Sequence, residues 1–376
     1  MPATASTPSA PRLAVIGASG FVGLRTVELL SARTDLTVVP VVRAAASLAV
    51  LARQRLDWRI AGFLDESALA GALHGCSICL HAALGDAAQI VRMAEVAYRA
   101  CARAGVRRLV WLSSASVHGQ NCPAGTDETS PLHDHHPLAY NNAKVRAERR
   151  LARLARDRRV EIVMLRPGVV FGPRSRWIAD AAADLRTGRA AWLEAGAGIC
   201  NSIYIDNLVE AIRLAAAVPA AAGETFLVGD AETVTWREFL VPIAQHLGRD
   251  AAAFHAVAPP PIVPERESLW EAFTLTPAYA RLGDLMPARA KRIAKAVAAS
   301  WRQAPARASA WCLRPSSEPP RLTTELALLQ LCRWKLPHAK ATRLLGYHPP
   351  VAFAEGLRRS LAWLDFAGLS PGPDRS

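Results

Sequence analysis

The sequence predicts an α/β fold, a doubly wound parallel sheet with a smaller, mainly helical C-terminal lobe. Three observations lead there. Short apolar runs alternate with helically spaced stretches from residue 12 to about residue 230. Three glycines lie between the first run and the first helix. Beyond Asp230 the alternation fades, and proline-rich stretches appear at residues 258–264 and 304–320.

Each element has its own signal. Arg12–Ile16 is a short apolar run closed by glycine, the pattern of a buried strand. Phe21, Leu24, Val27 and Leu30 follow at helical spacing. Residues 36–42 are rich in β-branched side chains and predict the second strand. Residues 69–73 predict a helix and residues 77–83 a third strand. Ala87–Ala104 predicts a helix that stops at Gly105. Arg108–Leu112 predicts a strand, residues 140–158 a long helix, and residues 161–165 a strand closed by Arg166, Pro167 and Gly168. Strands joined in this way need right-handed crossovers. Further on, residues 288–302 predict a basic helix, and residues 341–364 carry helical spacing around Gly346.

Composition narrows the function classes. The chain has 376 residues, 51% of them hydrophobic, enough for a large core. No apolar run is long enough to span a bilayer. The net charge of +13 invites a nucleic-acid reading. The charge is spread over helices, however, without basic–aromatic repeats or zinc-finger spacing, so a small-molecule partner is expected and no nucleic acid. The first ten residues lack the basic start and apolar run of a signal peptide, so a cytoplasmic location is expected. Seven scattered cysteines point to reduced thiols. Cys76 and Cys79 match C-x-x-C, but on a strand residues three apart face opposite ways. His133, Asp134, His135 and His136 could bind metal by type, but they read as a polar loop, and no metal is expected.

The glycine turn carries the first chemistry. Gly17, Gly20 and Gly23 follow a strand and open a helix, the context of a dinucleotide-binding turn. The first glycine allows the tight turn, the second lets pyrophosphate approach the backbone, and the third lets helix and strand pack. The helix N-terminus adds free N–H groups and a positive dipole end. Gly17, Ser19, Gly20, Phe21, Val22 and Gly23 are therefore candidate cofactor contacts. The second strand ends in Arg43, with no acidic residue to bond the ribose hydroxyls of NAD. Arginine suits a 2′-phosphate, so NADP is favoured over NAD. On this reading residues 1–11 and 369–376 are disordered tails. Residues 12–230 form an NAD(P)-binding Rossmann domain, with part of 168–200 contributing to the lobe. Residues 231–368 form the substrate lobe.

A second constellation follows. Tyr140 and Lys144 lie four residues apart, on one face of a helix. A phenol is a poor base near neutrality, and a neighbouring cation lowers its pKa. Ser113 to Gly119 follows a strand, so its serines fall where a sheet's carboxyl ends meet ligand. A serine hydroxyl there can hold a substrate oxygen while Tyr140 moves the proton.

These motifs resemble the extended short-chain dehydrogenase/reductases of the NAD-dependent epimerase/dehydratase type. The matching pieces, in family order, are Gly17-x-x-Gly20-x-x-Gly23, His81-Ala82-Ala83, Ser113 to Gly119, Tyr140-x-x-x-Lys144, Arg166 to Pro173 and Tyr204 to Asn207. They cover residues 12–230, and residues 341–350 resemble the family's C-terminal segment. The resemblance implies that Ser114, Tyr140 and Lys144 are catalytic. It implies that His81, Ala82 and Ala83 line the cofactor, that Pro167 and Val169 flank the nicotinamide, and that Lys144 holds its ribose. It also implies a homodimer. His118 stands where the family often has tyrosine, and Phe63 where an aspartate often contacts adenine. No acidic residue follows Ser114, which argues against water elimination. The Arg166 and Asn201–Asn207 segments look closer to the 3β-hydroxysteroid-dehydrogenase-like branch. The expected activity is interconversion of a secondary alcohol and a ketone. A nucleotide-sugar epimerase that retains its NAD is the alternative. A dinucleotide sensor without turnover is disfavoured by the intact Ser–Tyr–Lys set.

Overall fold

The structure is a computed structural model that describes residues 10–265, 319–320 and 322–370. The helix expected at residues 288–302 and nearly all of the stretch at 304–320 lie outside the described residues, as does Cys312.

Seven parallel strands form the central sheet: β1 (Arg12–Ile16), β2 (Thr37–Val42), β3 (Arg59–Ile60), β4 (Ile78–His81), β5 (Arg108–Leu112), β6 (Glu161–Pro167) and β11 (Thr225–Val228). Their order is β11-β6-β5-β4-β1-β2-β3, so the winding direction reverses between β1 and β4. Side chains alternate between two cores, as the pleat requires. Leu13, Val15, Val110, Val163 and Leu165 enter one; Ala14, Ile16, Trp111, Ile162 and Met164 enter the other. The first core is closed by α1 (Phe21–Leu30) and α6 (Ile205–Ala217), the second by α2 (Glu66–Leu73), α3 (Ala87–Ala104) and α4 (Ala139–Leu154). Two-sided burial explains why the strands read as continuous apolar runs.

A third core lies beyond the sheet. It joins Phe171 of β7 (Val169–Phe171), Ile178 of α5 (Arg176–Thr187), Phe239 of α7 (Trp236–His246) and Phe353 of α10 (Phe353–Phe366). Short ladders stitch this lobe together: β7 with β10 (Ser202–Tyr204), β9 (Ile199–Cys200) with β12 (Val234–Thr235), and β8 (Ala191–Trp192) with β13 (His255–Ala256). The described lobe also holds α8 (Thr324–Gln330). No helix among the described residues is long and apolar enough to cross a membrane.

The structure trims several expectations. The long helix stops at Leu154 and ends in a 3-10 turn, Ala155–Asp157. The third strand covers only Ile78–His81, so Cys76 precedes it and Cys79 alone lies within it. The periodic stretch at 341–364 is two helices, α9 (Ala339–Leu345) and α10. Gly346 stops α9 with φ of 69°, a conformation that favours glycine.

Two buried polar residues tie elements together. Arg108 donates to Glu161 Oε2 at 2.8 Å, and to the carbonyls of Ala215, Ala216 and Val218 at 3.0, 3.2 and 2.7 Å at the C-terminus of α6. Asp230 accepts from the Tyr204 backbone N–H at 2.9 Å, Asn207 Nδ2 at 2.7 Å and Ser202 Oγ at 3.0 Å. Asn207 in turn bonds both backbone groups of Val351, at 2.8 and 2.9 Å, so the segment that leads into α10 is held at the start of α6.

Candidate active site

The candidate residues gather along the carboxyl edge of the sheet, around the switch between β1 and β4, where open α/β sheets bind ligand. Gly17 leaves β1 with φ of 85°. A Cβ on it would lie 2.7 Å from the Ala83 nitrogen, and one on Gly23 only 2.2 Å from the Gly17 carbonyl oxygen. Both positions therefore require glycine. Gly20 opens α1 without a side-chain cap, which leaves N–H groups for an anion. The side-chain-free cradle of Gly17 and Gly20, with the uncapped helix end beside it, fits a dinucleotide pyrophosphate. Ala82 is fixed alongside by its N–H to the Ile16 carbonyl, at 2.9 Å. Arg43, at the end of β2, is exposed, and its guanidinium lies 5.8 Å from the centroid of the Phe63 ring.

Ser114 begins a 3-10 turn directly after β5. Its Oγ accepts from the Ser116 backbone N–H at 3.2 Å and from Ser116 Oγ at 2.8 Å. Tyr140 lies in the first turn of α4. Burial pushes the phenol up to about 12, while a hydrogen bond with Ser114 pulls the other way. Lys144 is buried, and its Nζ donates to the Leu112 carbonyl at 2.7 Å. The ammonium lies 5.2 Å from the Trp111 ring centroid and 5.7 Å from that of Tyr140. Burial lowers its pKa to about 8, against the pull of Glu148. The lowered phenol pKa expected from the lysine is not realised here: desolvation outweighs the Ser114 hydrogen bond, and Lys144 is not among the groups that shift the phenol.

His81 closes the floor. It is buried against Trp111, with ring centroids 4.5 Å apart, and its Nε2 has no partner among the described residues. Burial and then the nearby Lys144 lower its pKa to about 3, so the ring is neutral. Pro167 ends β6 and Val169 starts β7, with the Val169 N–H on the Asn201 carbonyl at 2.7 Å.

Behind the centre runs a buried network. Arg166 Nε and Nη2 grip both oxygens of Glu148, at 3.0 and 2.6 Å. Ser113 Oγ donates to Glu148 Oε1, and Arg166 Nη1 meets His118 Nε2 at 3.1 Å. Burial first, then Arg166, lowers His118 to about 4. The sequence shows Glu148 four residues beyond Lys144 and eight beyond Tyr140, on the same face of α4, and that spacing is the signal that could have found it. Two further features carry no such signal. Arg176 Nη2 pairs with both Glu325 oxygens, at 2.8 and 3.0 Å, joining α5 to α8. Both charges act on the Tyr140 phenol. Glu265 Oε2 accepts from the Ala139 N–H at the start of α4, at 2.9 Å. In the histidine loop, Asp134 pairs with Arg149 at 2.9 Å and His136 Nε2 contacts the Val117 carbonyl at 3.0 Å.

Comparison with known proteins gives this site a setting. A family model described as NAD(P)H-binding matches residues 17–184. A 2-alkyl-3-oxoalkanoate reductase from Stenotrophomonas maltophilia is 30% identical over 273 residues, 69% of each chain. The chain belongs to the extended short-chain dehydrogenase/reductase family. Other members of this family give similar matches. A UDP-glucose 4-epimerase from Vibrio cholerae is 27% identical over 250 residues, 61% of this chain and 73% of that one. A decarboxylating sterol-4-alpha-carboxylate 3-dehydrogenase from Schizosaccharomyces pombe is 25% identical over 275 residues, 71% of this chain and 69% of that one. The fold of a dTDP-glucose 4,6-dehydratase from Streptomyces venezuelae superposes with a TM-score of 0.65 at 21% identity, covering 94% of this chain and 97% of that one. This member is thus an NAD(P)-binding enzyme of a family whose relatives are named reductases, dehydrogenases and epimerases.

Proposed function

We propose that the chain is an oxidoreductase that interconverts a secondary alcohol and a ketone, with NADP favoured over NAD. One observation carries this reading: the Tyr140 phenol lies against the Ser114 hydroxyl on one side and over the Lys144 ammonium on the other. When bound, the nicotinamide supplies or takes the hydride. Ser114 holds the substrate oxygen, and Tyr140 gives it a proton in reduction and removes one in oxidation. With its pKa pushed to about 12, Tyr140 is held in the proton-donating form, which suits ketone reduction. Lys144 bonds the nicotinamide ribose and carries positive charge beneath the phenol. Gly17, Ser19, Gly20, Phe21, Val22 and Gly23 hold the pyrophosphate. His81, Ala82, Ala83, Pro167 and Val169 shape the floor and far wall around the nicotinamide. Arg43 receives the 2′-phosphate.

The absence of an acidic residue after Ser114 supports hydride exchange over water elimination. Relatives named for 3-oxo acids and sterol 4-carboxylates support an oxygen-bearing carbon near a carboxylate. Arg176, which pairs with Glu325 and whose charge acts on the phenol, is the candidate cation for such a group. The test is net oxidation of NADPH by a panel of 2-alkyl-3-oxoalkanoates and cyclic ketones, followed by nicotinamide absorbance. The similarity to a UDP-glucose 4-epimerase keeps a second reading in view. That reading requires an interconverted nucleotide sugar, tightly retained dinucleotide and no net NADPH loss. Such a result replaces the first reading. The cofactor preference is tested separately. Arg43→Glu should shift the NADPH-to-NADH ratio of kcat/KM at least about tenfold toward NADH, since a carboxylate repels the 2′-phosphate. An unchanged ratio removes Arg43 from the cofactor site.

A further inference from the structure

Two thiols outside the proposed reaction centre face each other. Cys122 lies in the loop that continues from the Ser114 turn, and Cys332 lies two residues beyond the end of α8. Both are buried, and their Sγ atoms are 3.9 Å apart, although 210 residues separate them in sequence. An S–S bond of about 2.05 Å requires the sulfurs to close from this distance by rotation about the two Cα–Cβ bonds.

The two sulfurs differ in character. The Cys122 thiol beside it and the Asn201 amide, which donates to its Sγ at 3.6 Å, lower the Cys332 thiol below its usual range. Its protonated form can donate to the Trp334 carbonyl at 3.4 Å. Cys122 is pushed up by the same pairing and by burial. The Asn201 amide favours Cys332 as the sulfur that carries the negative charge and acts as the nucleophile. Cys79 and Cys101 offer a contrast. They lie fully buried in the apolar core between β4 and α3, where their pairing and burial raise the Cys79 thiol and no polar side chain stabilises a thiolate.

The surroundings connect the pair to the site. Trp334 Nε1 donates to the Thr126 carbonyl at 3.0 Å, so the Cys332 strap and the Cys122 loop are already bonded once. Asn201 donates to the Trp334 carbonyl at 3.0 Å and accepts from the Leu336 N–H at 2.8 Å. Its own carbonyl holds Val169 at 2.7 Å. Asn201 also lines a small cavity with Gly168, Lys335 and Leu336, with room for no more than about one water.

We propose that Cys122 and Cys332 form a reversible disulfide with peroxide as oxidant, fastening the strap of the substrate lobe to the loop that leaves Ser114. The Cys332 thiolate attacks one peroxide oxygen; the S–O bond forms, the O–O bond breaks and hydroxide departs, leaving a sulfenic acid. The Cys122 sulfur then attacks the Cys332 sulfur. The S–S bond forms, the S–O bond breaks, and the departing oxygen leaves as water with the Cys122 proton. Overall two thiols and one hydrogen peroxide give one disulfide and two waters. A dithiol reverses the bond by exchange. The crosslink does not depend on which substrate is reduced, and its test needs no substrate.

The experiment uses the full chain. Reduced protein is treated with a few equivalents of hydrogen peroxide, free thiols are alkylated, and peptides are mapped with and without dithiothreitol. A Cys122–Cys332 linked peptide that dithiothreitol removes is expected, together with a higher Tm for the oxidised form. A wild-type digest without that peptide, or with Cys122 joined to a different cysteine, overturns the proposal. So does accumulation of sulfinic acid at Cys332 in place of the link. The variants separate the two roles. Cys122→Ser should leave a sulfenic acid on Cys332 that dimedone traps, whereas Cys332→Ser should leave Cys122 unoxidised. The reverse pattern also overturns it.

Discussion

Tyr140 keeps its proton because burial raises its pKa to about 12, and Lys144 sits beneath it with a pKa of about 8. In the proposed reaction, replacing the phenol removes the proton path and little else. Tyr140→Phe should cut kcat on the best ketone of the panel by about 10²- to 10⁴-fold. Dinucleotide affinity, measured by nicotinamide fluorescence, should stay within about twofold of the parent, because the glycine cradle is untouched. Retained turnover would remove Tyr140 from the mechanism. The proximity of Ser114, Tyr140 and Lys144 was legible in the sequence because a four-residue helical step and a strand end are local features. Trp111, which supports the Lys144 ammonium, was not, because its neighbours come from distant elements. The direction of the phenol shift was hidden for the same reason: it depends on how much water the fold excludes.

At the scale of elements, two joints hold the centre. The first is the packing of Gly17 on Ala83, which brings the turn after β1 against the end of β4. Gly17→Ala puts a methyl 2.7 Å from a backbone nitrogen, at φ of 85°. It should weaken dinucleotide binding at least about tenfold, which is about 1.4 kcal/mol. Isothermal titration with NADP and NAD measures the loss, and unchanged affinity would place the ligand elsewhere. The second joint is the Arg166–Glu148 pair between β6 and α4, with both side chains 5% exposed. Glu148→Gln leaves the buried guanidinium uncompensated and should cost about 3–5 kcal/mol in urea unfolding. The sheet strands were readable because burial on both faces makes them uniformly apolar. The two-residue strands β8, β9, β12 and β13 were not, since so short a run has no period. The apparent single helix near the C-terminus misled in another way. Gly346 interrupts a pattern whose two halves, α9 and α10, pack on different cores.

The whole molecule should lose stability in mild acid through its buried histidines. His81 and His118 titrate near 3 and 4 when folded, below the usual 6.5. Between pH 6.5 and those values the unfolded chain binds protons that the folded chain refuses. Stability therefore falls as pH drops through that window, by up to about 1.4 kcal/mol per pH unit for each histidine. Lys144, lowered to about 8, has the same sign at the alkaline end: its contribution rises with pH from about 8 to its ordinary 10.5. Tm measured from pH 4 to 7 should slope upward, and His118→Gln should flatten the slope. A slope unaltered by that substitution assigns the acid sensitivity to other groups. The alternation of elements over residues 12–230 made the architecture of the sheet legible. The joints between the lobe and the candidate site were not legible, because they are distant pairs such as Arg176 with Glu325 and Glu265 with the start of α4.

Arg108 gives the same interdependence another form. A helix end ordinarily frays alone, opening and closing many times before the rest of a protein loosens. Here the last carbonyls of α6 are held by a side chain rooted in the first residue of β5, itself a central strand. The last turn of that surface helix cannot open on its own without leaving a buried guanidinium unsatisfied. Its motion is therefore slaved to the middle of the sheet, and the protein trades a loose end for a single larger cooperative unit.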